Sequence, residues 1–197
     1  MTTASDPWLD PWLATLARHA GNGPVLEIGC GAGEDTATLL AAGLQVLAFD
    51  RSADAVAAAR RRAPQARIEC RDIRDPLPAE PGSLGAVVAS LSLHYFGWAE
   101  TQAIVQRVRV LLRPGGLLLC RLNADDDVHF GACGHPPIEP HFFMVDGAPK
   151  RFFDEDQVQR LFAAGWALQT LRRDVTHKYD QPKSLLEVAC ERVDETR

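Results

Sequence analysis

The sequence predicts an α/β fold made of one domain, residues 1–197, on a mostly parallel sheet with helices over both faces. Three observations predict it. Short apolar runs alternate with amphipathic or Ala-rich segments from residue 24 to residue 122, a rhythm that implies right-handed crossovers between parallel strands. A three-glycine turn separates the first run from the segment behind it. Finally, 197 residues with 46% hydrophobic and 24% charged side chains suit a soluble chain with one core.

The elements follow in order. Trp8, Leu9, Trp12, Leu13, Leu16 and Ala20 fall at helical spacing behind Asp6-Pro7. Residues 1–22 are therefore expected as an N-terminal helical flap, with Trp8 and Trp12 on its core-facing stripe. "PVLEIG" (24–29) reads as a strand, and Glu34 to Ala42 as a helix stopped by Gly43. A second strand "LQVLAFD" (44–50), a helix 52–63 ended by Pro64 and a strand "ARIECRD" (66–72) come next. A Pro-rich loop leads to the strand "LGAVVASL". A helix from Glu100 to Leu112 is then closed by "RPGG" before the strand "LLLCRL" (117–122). Residues 124–152 break the rhythm with four prolines, three glycines and three histidines, so 123–153 is expected as an irregular insert covering the substrate. A helix 154–164 and strands 166–176 and 184–193 complete the chain.

Composition excludes several classes of function. A net charge of −5 argues against nucleic-acid backbones as partners, because their binding relies on clustered Lys and Arg. The one dense basic run, Arg60-Arg61-Arg62, falls at a helix end, where cations complement the dipole. No apolar stretch approaches the ~20 residues that span a bilayer, and the N-terminus lacks the charged-then-apolar pattern of a secretory signal. A cytoplasmic protein that acts on small molecules, without membrane partners and as a monomer or homodimer, is expected. Five scattered cysteines without a C-x-x-C pair suit reduced thiols. Cys133, His135 and His141 match no standard metal spacing, and Asp125, Asp126 and Asp127 read as a solvated run or helix cap, so no metal is expected.

The glycine turn carries the functional information. In an open parallel sheet, ligands bind beyond the carboxyl ends of strands where strand order reverses, and the loop after the first strand forms the floor. Gly29, Gly31 and Gly33 sit there and let a ligand approach the backbone. The dinucleotide fingerprint G-x-G-x-x-G fails, because Glu34 stands where its last glycine belongs. Glu34 and Asp35 would also compete with a pyrophosphate for the positive end of the following helix. Glu27 is placed to attract a cationic group. Asp50 ends the second strand 21 positions beyond Gly29, where an acid grips a ribose diol. A nucleoside without phosphate, bearing positive charge, satisfies both.

On these residues the chain resembles the class I S-adenosylmethionine-dependent methyltransferases. "LEIGCGAGEDT" resembles their motif E/D-x-G-x-G-x-G, "VLAFDRS" their second-strand acid, and "CRDI" their adenine-contacting loop; "LSLHYF" and "LLRPGGLLL" resemble the fourth strand with its loop and the fifth strand. The resemblance covers residues 24–122. It implies a Rossmann-like three-layer sandwich with seven strands in the order 3-2-1-4-5-7-6, the last antiparallel. S-adenosylmethionine would be the cofactor and S-adenosylhomocysteine the product, with methyl transfer to a small-molecule acceptor by in-line displacement. Glu27 and the loop Gly29, Cys30, Gly31 and Gly33 would face the methionine moiety and Asp50 the ribose. Arg51, Asp72 and Ile73 would lie at the adenine, and Ser90 and Leu91 under the sulfonium. The family often has an acid where Gly85 stands here. His94, beside Tyr95, is the base candidate, since its loop faces the transferring methyl in this family and histidine titrates near neutrality. Residues Arg121, Asn123, Gly131, Glu139, Arg151 and Phe152 match a pattern found in a subgroup of small bacterial methyltransferases. Two other readings compete: a non-catalytic sensor or scaffold binding the same cofactor, and an NAD-type oxidoreductase, which Glu34 and Asp35 disfavour.

Overall fold

The computed structural model describes residues 6–194. The first five residues of the expected N-terminal segment and residues 195–197 lie outside this range. Helices α1 (Leu13–Ala20), α2 (Glu34–Ala41), α3 (Ala53–Arg62), α4 (Trp98–Leu111) and α5 (Glu155–Leu161) alternate with strands β1 (Val25–Ile28), β2 (Val46–Asp50), β3 (Arg67–Cys70), β4 (Leu84–Ser90) and β5 (Leu112–Asn123). Three short strands follow, β6 (Pro137–Glu139), β7 (Phe142–Val145) and β8 (Ala148–Arg151), ahead of the long pair β9 (Trp166–Thr176) and β10 (Lys183–Arg192).

The main sheet has seven strands in the order β3-β2-β1-β4-β5-β10-β9. In chain order of its own strands this is 3-2-1-4-5-7-6, with β10 antiparallel to both neighbours. Side chains alternate between two cores, as the pleat requires. Leu26, Val87, Leu118 and Leu122 face the core capped by α4 and α5, whereas Val25, Val88 and Leu119 face the one capped by α1, α2 and α3. Strand order reverses between β1 and β4, so the carboxyl ends of those two strands open onto a shared crevice.

Three local expectations are corrected. The N-terminal helix is shorter than the apolar stripe suggests: Asp10–Trp12 is a 3-10 turn and the α-helix starts at Leu13. Pro11 is the reason, since a proline inside a helix removes an amide donor and clashes with the preceding turn. The "RPGG" segment does not stand between helix and strand. β5 begins at Leu112, directly after α4, and Arg113 to Gly116 bulge out between the pairings Leu84↔Leu112 and Ala86↔Leu117. Lastly, the 123–153 segment is not irregular throughout, because β6, β7 and β8 form an antiparallel meander. Its second turn is Asp146-Gly147, both at positive φ, an Asp-Gly hairpin signal that flanking strands of three or four residues obscure.

Gly85 has no acid because it has no room for any side chain. A Cβ there would lie 1.8 Å from the His19 carbonyl oxygen and 3.0 Å from Ala20 Cα, so the last turn of α1 rests on the backbone of β4. Gly85→Ala is expected to destabilise the fold toward the upper end of the ~1–3 kcal/mol typical of overpacking. Chemical denaturation measures this, and a variant as stable as the parent would mean that α1 does not press on β4.

Candidate active site

A cavity of about 770 Å³ opens at the carboxyl ends of β1, β2, β4 and β5. Its floor is the loop after β1. Gly29 has φ 74°, and a Cβ on it would come within 2.5 Å of Ser92 Cβ, so only glycine lets the loops after β1 and β4 meet. Gly31 has φ 52° with open space where its side chain would be, and its amide donates to Asp50 Oδ2 at 2.9 Å. The other oxygen of Asp50 accepts from the Ser52 amide at 2.9 Å. One carboxylate thus fastens the glycine loop to the end of β2, while each oxygen keeps a further lone pair.

Glu27 is buried under this floor, 3% exposed, and accepts a hydrogen bond from Thr36 Oγ1 at 2.5 Å. Burial pushes its carboxyl up to about 8, and the nearby Asp35 and Asp50 push in the same direction. The Cys30 thiol is likewise raised by burial, to about 12, and stays neutral. Arg51, Asp72 and Ile73 line the far end; Asp72 Oδ1 accepts from the Arg74 amide at 2.9 Å, which makes it a turn-closing acid as well. At the end of β4, Ser90 Oγ accepts from Arg121 Nε at 2.9 Å, and Leu91 sits at φ 52°, a conformation that costs a branched residue on the order of 1–3 kcal/mol. The Leu91 amide donates to the Arg121 carbonyl, which holds this turn in place.

Of the residues singled out from the sequence, Glu27, Gly29, Cys30, Gly31, Asp50, Arg51, Asp72, Ile73, Ser90, Leu91, His94 and Tyr95 all line this one cavity. Gly33 does not. It caps α2 in the left-handed conformation, and a Cβ there would meet the Ala59 backbone at 2.9 Å, so it serves helix packing. The argument that His94 titrates near neutrality is also corrected. The ring is 4% exposed, and burial, with Lys183 and Lys150 adding to it, pushes its pKa down to about 3. His94 is a neutral imidazole with an unpartnered Nδ1, its ring 4.2 Å from that of Tyr95.

Other residues of the cavity carry no signal in their spacing. Asp35 does not stand open to ligand: both its oxygens accept from the Trp8 indole N–H, at 3.0 and 3.1 Å. Arg121 lies over the Trp8 ring at 4.2 Å and pairs with Asp6 at 2.7 Å. Trp8 is thus a core residue that holds Asp35 and Arg121 of the cavity lining in place. Lys178 and Tyr179, from the turn between β9 and β10, and Lys183 at the start of β10 also reach the cavity, brought there by strands with no motif to mark them. The Arg-x-Asn pattern divides by role. Arg121 and Asn123 line the cavity, whereas Arg151 is buried against Glu139, donates to the Phe96 carbonyl at 3.0 Å and is lowered by burial to about 10. Gly131 fits against Val145, and Phe152 is buried. The meander is thereby bolted to the loop before α4. Among the described residues, no group of three or more His, Cys, Asp and Glu could hold a metal, and no helix is long and apolar enough to cross a membrane.

Comparison with known proteins agrees with this geometry. Residues 25–116 match the family described as "Methyltransferase domain". The chain is 33% identical over 105 residues to an uncharacterized methyltransferase of Synechocystis sp., covering 53% of this chain and 49% of that one. It is 34% identical over 119 residues to trans-aconitate 2-methyltransferase of Delftia acidovorans, covering 57% and 41%. The match to the methyltransferase domain takes in a little under half of the chain. The chain spans half or less of the length of these curated relatives. In fold, the chain superposes on the crystal structure of an S-adenosylmethionine-dependent methyltransferase from Mesorhizobium loti with a TM-score of 0.74 at 21% identity, over 96% of this chain and 99% of that one.

The residues lining the cavity fit S-adenosylmethionine, the cofactor that the resemblance implies. A buried acid beneath the floor suits an ammonium group, an open glycine face admits a close ligand, and the cavity is within the roughly 300–1,000 Å³ of small-molecule sites. The raised Glu27 has a consequence for stability. With its folded pKa about 8 and its unfolded value near 4.5, the folded state holds the proton more tightly, so stability falls as pH rises between those values and levels off above. Glu27→Gln should remove a pH dependence on the order of a few kcal/mol, because each tenfold difference in proton affinity between folded and unfolded states corresponds to about 1.4 kcal/mol. Urea unfolding of the ligand-free protein at pH 5 and pH 8.5 measures it; the same pH dependence in parent and variant would refute the buried-acid assignment.

Proposed function

We propose that the protein transfers a methyl group from S-adenosylmethionine to a small-molecule acceptor by in-line displacement. The observation that carries this reading is the shared cavity of Glu27 and Asp50, two acids on neighbouring strand tips beside a glycine-rich bend. The cofactor, when bound, supplies the methyl group on a sulfonium that leaves as a neutral thioether. The chain's own residues bind, orient and exclude water. Glu27 faces the methionyl ammonium, and Asp50 accepts from the ribose hydroxyls while it holds Gly31. Arg51, Asp72 and Ile73 receive the adenine. Ser90 and Leu91 lie beneath the sulfonium, the strained Leu91 turn giving the end of β4 a fixed shape there. His94 stays neutral at physiological pH and serves as a wall and hydrogen-bonding group beside Tyr95. The relatives' names support an acceptor of small size. The acids at the start of α2, one on Trp8 and the other paired with Arg62 and Lys178, leave that helix end without an open anion site, which speaks against a pyrophosphate-bearing cofactor.

Calorimetry and turnover test this together. S-adenosylmethionine and S-adenosylhomocysteine should bind and NAD should not; release of S-adenosylhomocysteine with an acceptor separates an enzyme from a sensor. Because Glu27 is protonated in the free protein at pH 7, binding of an ammonium beside it should release close to one proton, read from the dependence of the heat on buffer ionisation. Absence of proton release would mean that Glu27 does not meet the cation. Asp50→Ala should weaken the cofactor by about 1–3 kcal/mol, since it orphans both the hydroxyls and the Gly31 amide. Undiminished affinity would remove Asp50 from the site. At saturating cofactor, kcat should show no ionisation of His94 between pH 6 and 8, and an inflection in that range abolished by His94→Gln would restore it as a base.

A further inference from the structure

The two halves of the cavity differ in charge. All the acids that line it, Glu27, Glu34, Asp35, Asp50 and Asp72, come from the first 72 residues, the half built by β1, β2 and the loop after β3, where they outnumber the two cations Arg51 and Arg71. From residue 73 onward, no Asp or Glu reaches the cavity, and the charged groups that do are Arg121, Lys150, Lys178 and Lys183. Three of these have counter-ions: Arg121 has Asp6, Lys178 has Glu34, and Lys183 has Asp127 at 2.7 Å. Lys150, half-buried on β8, has no carboxylate partner among the described residues, although its charge is felt at both His94 and Lys183. Between these groups lie two buried polar atoms with no hydrogen-bond partner, His94 Nδ1 and Asn123 Oδ1. An unpaired ammonium in a cavity half with no acid is a place for an anion.

Resting on the methyl-transfer reading above, we propose that the acceptor is a small carboxylic acid, methylated on a carboxylate oxygen, with Lys150 as its charge partner. The chemistry balances without a base. A carboxylate oxygen lone pair forms the O–CH3 bond as the C–S bond breaks, and that bond's electron pair goes to sulfur. The sulfonium charge and the carboxylate charge disappear together, leaving a neutral ester and a thioether, with no proton to remove. The cavity's titratable groups accord with this. His94 is pushed down to about 3, Tyr95 is raised by burial, and Cys30 is raised to about 12, so none takes a proton from an alcohol or amine near neutrality. Lys183 is lowered by burial, against the opposing pull of Asp127, whose carboxylate is fully buried against it. The Phe130 ring, under Lys183 at 4.4 Å and against Tyr179 at 5.5 Å, offers an apolar face for the body of the acid.

The test uses the full chain. Benzoate, phenylacetate, malonate and trans-aconitate are each paired with the corresponding amide, with phenol and benzylamine as further arms; S-adenosylhomocysteine release and mass-spectrometric detection of the methyl ester are the readouts. Turnover with at least one acid and none of the amides is expected. Turnover with phenol or the amine instead, or with none of the acids while S-adenosylmethionine binds, overturns the carboxylate assignment. Failure to bind S-adenosylmethionine at all overturns the methyl-transfer reading instead. Lys150→Gln should raise KM for the acid by about tenfold or more, leave cofactor Kd within about twofold, and be rescued in part by Lys150→Arg. A variant with unchanged KM, or with cofactor affinity lost in equal measure, shows that Lys150 does not hold the acceptor.

Discussion

The site depends on the hydrogen bond from the Gly31 amide to the Asp50 carboxylate at 2.9 Å, backed by the Gly29 and Cys30 amides donating to the Phe49 carbonyl at 2.9 and 3.0 Å. It joins the tips of the two strands left of the point where strand order reverses, and it holds a glycine loop whose positive φ angles no other residue type adopts at low cost. A glycine-rich loop has few side chains to pack, so much of its position comes from its backbone amides, those of Gly29 and Cys30 donating to the Phe49 carbonyl and that of Gly31 to Asp50. With the floor set, Glu27 is enclosed beneath it, and enclosure is what raises its carboxyl. The floor's shape and the acid's protonation thus share a cause.

The opposite wall follows a different logic. The meander β6-β7-β8 buries little of its own and is held to the body by Arg151, which lies against Glu139, reaches the Phe96 carbonyl and stands near the faces of Trp98 and Phe142. This places Lys150, on the strand that carries Arg151, over the cavity. The long antiparallel pair β9-β10 contributes Lys178, Tyr179 and Lys183 from its turn and first residue. The cationic half of the cavity is assembled from segments far apart in the chain, and the acidic half from consecutive strand tips.

That difference governs what is legible in the sequence. The acids and glycines of the first half stand at intervals set by the strand-turn-helix unit, so their spacing carries the reading, and twelve of the thirteen residues singled out for the site line one cavity. The exception, Gly33, looks like its neighbours in sequence, and only the approach of Ala59 from α3 shows that it serves packing. Position along the chain finds His94 but misleads about its chemistry, because a pKa depends on burial and on lysines 56 and 89 residues further along the chain. Arg121, Trp8 and Asp35 meet across the whole fold, and no local spacing announces such a meeting.

The sequence by itself determined the alternation of strands and helices, the order of elements along the chain and the identity of the loop that floors the cleft. Those features are local: they rest on hydrophobic period, on glycine's tolerance of positive φ and on where carboxylates fall relative to strand ends. Tertiary structure alone decided which groups are enclosed and which charges are paired. Desolvation and Coulomb interactions depend on distance in space, and chain separation says little about either.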